Sequence, residues 1–211
     1  FGIAMGDAVN ERIDLIRTDD GATWTEVDSL AVPRGSSGEG GFAASGTCLV
    51  TRGDSSAWIG TGSPDASRVY RTRDRGDSWQ VAEVPVVSGL EAAGIMSLAF
   101  VSEDRGFAAG GALSRPDDVY ANFAATIDGG RTWELRGQPQ LPNIYGMAAR
   151  ENRAGVMILA VGPKGMDVSF DAGISWQSVD KRHYWGVHFI EEFAALAVGP
   201  QGRIARVAFV P

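Results

Sequence analysis

Apolar residues in this chain come in short runs of strand length, each closed by Gly, Asp, Asn, Ser or Pro. Such runs predict β-strands in three full groups of four. The first group is Phe42–Thr51, Ala57–Gly62, Val69–Arg73 and Ser78–Glu83. The second is Gly94–Val101, Gly106–Gly111, Asn122–Ile127 and Thr132–Arg136. The third is Ile144–Arg150, Val156–Gly162, Met166–Phe170 and Ser175–Val179. Two groups of three flank them, with Phe1–Gly6, Ile13–Thr18 and Trp24–Val27 at the start and Tyr184–Ile190, Ala194–Gly199 and Arg203–Phe209 at the end.

One polar pattern punctuates these groups. It reads Thr72-Arg-Asp74-Arg-Gly76-Asp-Ser78-Trp79, then Thr126-Ile-Asp128-Gly-Gly130-Arg-Thr132-Trp133, then Ser169-Phe-Asp171-Ala-Gly173-Ile-Ser175-Trp176. A degenerate first copy contains Asp19, Asp20, Gly21, Thr23 and Trp24, with Arg17 where Ser or Thr is usual unless one residue has been lost from the turn. The frame, Ser/Thr-x-Asp-x-Gly-x-Thr/Ser-Trp, fits a tight turn between strands. Gly supplies a left-handed conformation, Asp and the hydroxyls accept from the turn's own N–H groups, and Trp opens the next strand. The structural set is therefore Asp19, Asp74, Asp128 and Asp171 with Trp24, Trp79, Trp133 and Trp176. The tryptophans stand 55, 54 and 43 residues apart, a period that suits a four-stranded antiparallel blade. A second echo, Leu159-Ala-Val-Gly-Pro-Lys-Gly165 against Leu196-Ala-Val-Gly-Pro-Gln-Gly202, supports the same register.

The repeated frame is the Asp-box, or BNR repeat. Together with Gly38-Glu39-Gly40-Gly41-Phe42-Ala43-Ala44-Ser45-Gly46-Thr47 and the stretch Ala197 to Arg206, it makes the chain resemble the BNR/Asp-box β-propeller superfamily. That superfamily includes sialidases, sortilin-type receptors and photosystem II stability/assembly factors. The resemblance spans essentially the whole chain and is most specific to the assembly-factor-like group. It implies an all-β propeller, a longer parent of roughly seven blades, and a secreted or periplasmic setting.

The expected architecture is thus a single propeller domain, or a fragment of one, over 1–211. Its blades fall near 1–30, 42–84, 94–137, 144–180 and 184–211, three complete and two partial. Bare strand edges at both ends would invite aggregation. Two readings follow: a piece of a longer propeller, with the missing blades absent or on another chain, or a compact five-bladed ring.

Composition narrows the function. A net charge of −7 argues against a nucleic-acid partner. No apolar run reaches bilayer length. Cys48 is the sole cysteine and sits in an apolar stretch, which reads as a small core residue. No cofactor fingerprint is complete, because Ala43 stands where a dinucleotide motif needs its third Gly. His183 and His188 are a poor pair of metal ligands at their spacing on a strand.

Strand order puts the box turns on one face of the ring and the long connections on the other. Those connections carry Arg34, Glu39, Asp65, Arg68, Glu91, Asp118, Lys181, Arg182 and Trp185. The candidate contact residues among them are Arg115, Asp117, Tyr120, His183 and Tyr184. The reading is a non-catalytic binding or assembly propeller for a protein or carbohydrate partner, with no cofactor or metal. The alternative is a glycoside hydrolase, sialidase-like or with two carboxylates.

Overall fold

The computed structural model describes residues 1–43 and 46–209. It holds 18 strands in five antiparallel sheets, and no α-helix occurs among the described residues. Blade 1 is β1 (Gly2–Met5), β2 (Leu15–Thr18) and β3 (Thr25–Glu26). Blade 2 is β4 (Leu49–Arg52), β5 (Ser56–Gly62), β6 (Ser67–Thr72) and β7 (Gln80–Val84). Blade 3 is β8 (Ala93–Phe100), β9 (Gly106–Ala112), β10 (Phe123–Thr126) and β11 (Glu134–Leu135). Blade 4 is β12 (Gly146–Asn152), β13 (Gly155–Gly162), β14 (Gly165–Ser169) and β15 (Gln177–Asp180). Blade 5 is β16 (Gly186–Glu191), β17 (Ala194–Val198) and β18 (Ile204–Ala208). Each sheet pairs its strands in chain order, as the repeat predicts.

Several expected strands are shorter than their sequence runs, and two lose more than half of their length. The inner strand of blade 2 starts at Leu49, not Phe42. Ala44 and Ser45 lie outside the described residues, and Thr47 makes an isolated parallel bridge to Ser97 in blade 3. The outer strand of blade 3 shrinks from Thr132–Arg136 to two residues, because Thr132 is held by its own box turn.

The core is a series of apolar sandwiches between successive sheets. Ile3, Ile13 and Leu15 of blade 1 pack on Ala57, Ile59, Tyr70 and Trp79 of blade 2. Trp58, Val69 and Val84 meet Ile95, Leu98 and Trp133 of blade 3. Phe107 and Phe123 meet Ile144, Met147 and Ile158 of blade 4. Leu159, Val161 and Met166 meet Tyr184, Val187 and Ala195 of blade 5. No such cluster joins blade 5 to blade 1 among the described residues. The five-bladed ring is therefore corrected. The sheets form an open arc, because the interface that would close it is not formed.

Candidate functional site

The box face is committed to turn structure. In box 3, Asp128 Oδ1 accepts from the N–H groups of Arg131 (2.9 Å) and Thr132 (3.0 Å), and Oδ2 accepts from the Thr132 hydroxyl (2.7 Å). The Thr126 hydroxyl donates to the same carboxylate at 2.8 Å and accepts from Gly130 N–H at 2.9 Å. Box 4 repeats this with Asp171, Ser175, Ser169 and Gly173, and box 2 with Asp74, Ser78, Thr72 and Gly76. The three box glycines sit at φ of +83° to +90°, where a side chain would be strained. Burial pushes the Asp128 carboxyl up, but the N–H and hydroxyl of Thr132 outweigh it and bring the pKa down to about 2.

Box 1 differs from its expected register. Asp20, not Asp19, caps the turn, accepting from Ala22 N–H (2.8 Å), Thr23 N–H (2.7 Å) and the Thr18 hydroxyl (3.0 Å). Thr18 takes the hydroxyl position and accepts from Gly21 N–H. One residue has been lost from the turn, so the frame shifts by one. Asp19 points away and pairs with Arg75 at 2.8 Å. Trp24 is 45% exposed, against 5% for Trp79 and 8% for Trp133.

The opposite face gathers the other connections. Asp7, Gly38, Gly40, Gly41, Phe42, Gly62, Ser63, Pro64 and residues 89–93 line one cleft of about 430 Å³, although they come from four different connections. Asp7 and Glu91 are its carboxylates. Leu113 N–H and the Ser114 hydroxyl bond to Ala92 O and Glu91 O, so the β9–β10 loop leans on the β7–β8 loop.

Glu39 and Arg68 lie on this face but bind each other. The fully buried Glu39 carboxylate pairs with the Arg68 guanidinium and accepts from the Thr61 hydroxyl (2.6 Å) and Ser36 N–H (2.8 Å). Tyr70 closes the group, with its hydroxyl 2.8 Å from Arg68 Nη2. Burial raises the Glu39 carboxyl, but Arg68, Thr61 and Ser36 more than offset it and the net shift is downward. These residues bolt the blade 1–2 loop down and leave no charge free for a partner.

The five candidate contact residues divide. Arg115 and Asp117 are exposed on the β9–β10 loop, and Asp117 bridges to Lys164 of the β13–β14 turn at 2.5 Å. Tyr120 donates to Asp118 at 3.1 Å. Tyr184 is fully buried and is corrected as a contact residue. Its hydroxyl donates to Asp180 (2.9 Å), which Arg182 also grips, while Arg203 lies over its ring. The reason is positional: Tyr184 N–H bonds Gly162 O as Ile144 N–H bonds Gly110 O, so both side chains enter the sandwich with the preceding blade.

The next residue along faces outward. Trp185 stacks on Tyr145 at 5.5 Å with 13° between planes, and His183 lies 4.6 Å from the Trp185 ring. Trp185 is exposed, and the His183 Nε2 atom is buried without a hydrogen-bond partner. Tyr145 and Lys164 were missed as site residues. The signal for Tyr145 is in the sequence: Tyr145-Gly146 and Trp185-Gly186 occupy the same place before an inner strand.

No family profile matches the chain, and no curated protein sequence does. Solved structures do. YCF48 bound to a D1 peptide superposes on 98% of this chain with a TM-score of 0.57 at 16% identity, using 62% of its own length. The GH74 xyloglucanase from Xanthomonas campestris superposes on 96% of this chain with a TM-score of 0.58 at 16% identity, using 28% of its length. The intramolecular trans-sialidase from Ruminococcus gnavus covers 93% of this chain with a TM-score of 0.55 at 13% identity, using 50% of its length. The shared fold is a β-propeller. The chain spans less than two thirds of each of these structures. Because one is seen with a peptide and the other two are a xyloglucanase and a trans-sialidase, the likeness carries the architecture and not the activity.

Proposed function

We propose that this chain is a binding propeller, without catalysis of its own, that holds a protein or peptide partner on the face opposite the boxes. The observation that supports it is the cluster Tyr145–Trp185–His183 at the mouths of two inner strands. Trp185 is exposed, Tyr145 and His183 are half-buried beside it, and the aromatic group sits at strand starts, as contact anchors do. The β9–β10 loop that carries Arg115, Asp117 and Tyr120 is tied to the segment before Tyr145, where Asn143 Nδ2 donates to Pro116 O at 3.2 Å, and Asp117 pairs with Lys164. Nearby, Asp117 pairs with Lys164, and Asp180 with Arg182 and Tyr184. YCF48, which shares the fold, is seen with a peptide.

The test is peptide selection on the immobilised protein, with Trp185→Ala and Tyr145→Ala as counter-screens. Enriched peptides should lose at least tenfold in affinity on either variant, the size of one anchor at about 1.4 kcal/mol or more. Peptides that bind both variants unchanged would remove this surface from consideration.

A second reading has its own observation, the cleft lined by Asp7 and Glu91. A glycoside hydrolase needs two carboxyl groups facing one sugar. Turnover of a xyloglucan or sialoside that is abolished by both Asp7→Asn and Glu91→Gln would establish it over the binding reading.

A further inference from the structure

Box 1 and box 2 touch through two fixed positions of the repeat. One is the residue before the box hydroxyl, and the other is the residue after the box glycine of the next blade. Between blades 1 and 2 these are Arg17 and Asp77, which form an ion pair. The same two positions hold Arg71 and Arg131 between blades 2 and 3, and Ala125 and Ile174 between blades 3 and 4. One place in the plan thus carries opposite charges, then like charges, then an apolar pair. The third interface packs with no charge there at all.

The middle interface brings its two cations together. Arg71 is 8% exposed. It stands directly across from Trp58 of β5 and Gln80 of β7. Trp58 donates to Gly129 O, so the turn that carries Arg131 lies over this place. Arg71 Nη2 donates to Gln80 Oε1, and neither Arg71 nor Arg131 has a carboxylate partner among the described residues. The nearby acids are engaged elsewhere. Asp128 accepts from Thr126, Arg131 N–H and Thr132, while Glu103 and Asp104 hold Arg73. Burial, then the positive charges of Arg131 and Arg73, holds the Arg71 guanidinium below its usual range. A buried cation beside a second one is costly unless an anion offsets both.

We infer that Arg71 and Arg131 form a site for a tetrahedral oxyanion, phosphate or sulfate, in the place that the Asp77 carboxylate fills between blades 1 and 2. The planar donor forks of two guanidinium groups suit an ion with several acceptor oxygens, and its double charge offsets both cations. The site belongs to the box turns and is independent of the partner surface proposed above.

The test is the melting temperature of the 211-residue chain in inorganic phosphate against chloride at matched ionic strength. Phosphate should raise the Tm by about 3–6 °C at about ten times its dissociation constant, and the rise should saturate. Phosphate also stabilises proteins by exclusion from their surface, so Arg131→Asp is the control. Arg131 is exposed, and the new carboxylate would stand as Asp77 does. This variant should melt higher than the parent in chloride and lose the saturable response. O-phosphoserine as a second probe separates the sources. A response to it admits a phosphorylated side chain, and a response to inorganic phosphate alone means the free ion. No saturable rise with either probe, or the same rise in Arg131→Asp, overturns the inference. An Arg131→Asp variant that gains nothing in chloride overturns it as well, because the two cations would then not oppose each other.

Discussion

Trp58 of blade 2 donates its indole N–H to the main-chain oxygen of Gly129, 2.8 Å away in the box turn of blade 3. The same ring stacks on Phe100 at 3.9 Å. One side chain thus joins two blades by a polar and an apolar contact, both out of water. Trp58→Phe keeps most of the apolar area and leaves the Gly129 carbonyl unpaired. It should cost about 1–3 kcal/mol, read as a lower urea midpoint.

The first box offers a test of register. Asp20→Ala should lower the Tm, because the N–H groups of Ala22 and Thr23 lose their acceptor. Asp19→Ala removes an exposed pair with Arg75, worth at most about 1 kcal/mol, and should be close to neutral. Asp128→Ala, in a complete box, should cost about 1–3 kcal/mol. Equal effects at Asp19 and Asp20 would contradict the one-residue shift.

Acid should act through the boxes. Asp128 is depressed to about 2 from an ordinary 3.8, and Asp74 and Asp171 shift the same way, with burial opposing and the turn's own donors prevailing. A folded pKa below the unfolded one gives stability that is complete above the unfolded value. It is lost as pH falls through the folded value. Urea midpoints should therefore hold from neutral pH to about 5 and fall between about 4 and 2. Asp167 runs the other way. Burial raises its carboxyl, and its Oδ1 has no partner. Asp167→Asn should stabilise the protein at neutral pH, with the gain shrinking as the medium becomes acid.

The Glu39–Arg68 pair should respond asymmetrically. Arg68→Met strands a buried carboxylate and should cost about 3–5 kcal/mol. The double variant with Glu39→Gln should recover part of that loss, since the stranded charge is gone. A double variant no better than the single one would place the cost in packing around Tyr70.

The fold was legible because the boxes are local. Each Asp, hydroxyl and Gly meets partners within a few residues, so a spacing of eight positions encodes the turn and the period encodes the sheet. In the first box the sequence leaves two registers open, and the acceptor geometry selects the one with a residue lost, in which Asp20 and not Asp19 is the cap. The face opposite the boxes was legible only as a set of loops. Whether Tyr184 or Trp185 faces outward depends on which N–H bonds the preceding blade, a contact more than twenty residues distant. The partnership of Glu39 with Arg68 spans 29 residues and leaves no local trace.

Among the described residues, the apolar sandwiches join nearest-neighbour blades only. Such a molecule behaves as a linear array, in which cooperativity passes from unit to unit along a single track. Blade 3 is gripped on both sides, and blades 1 and 5 on one side each. Opening free energy should grade from the ends toward the middle, so transient loss of order starts at the termini and moves inward.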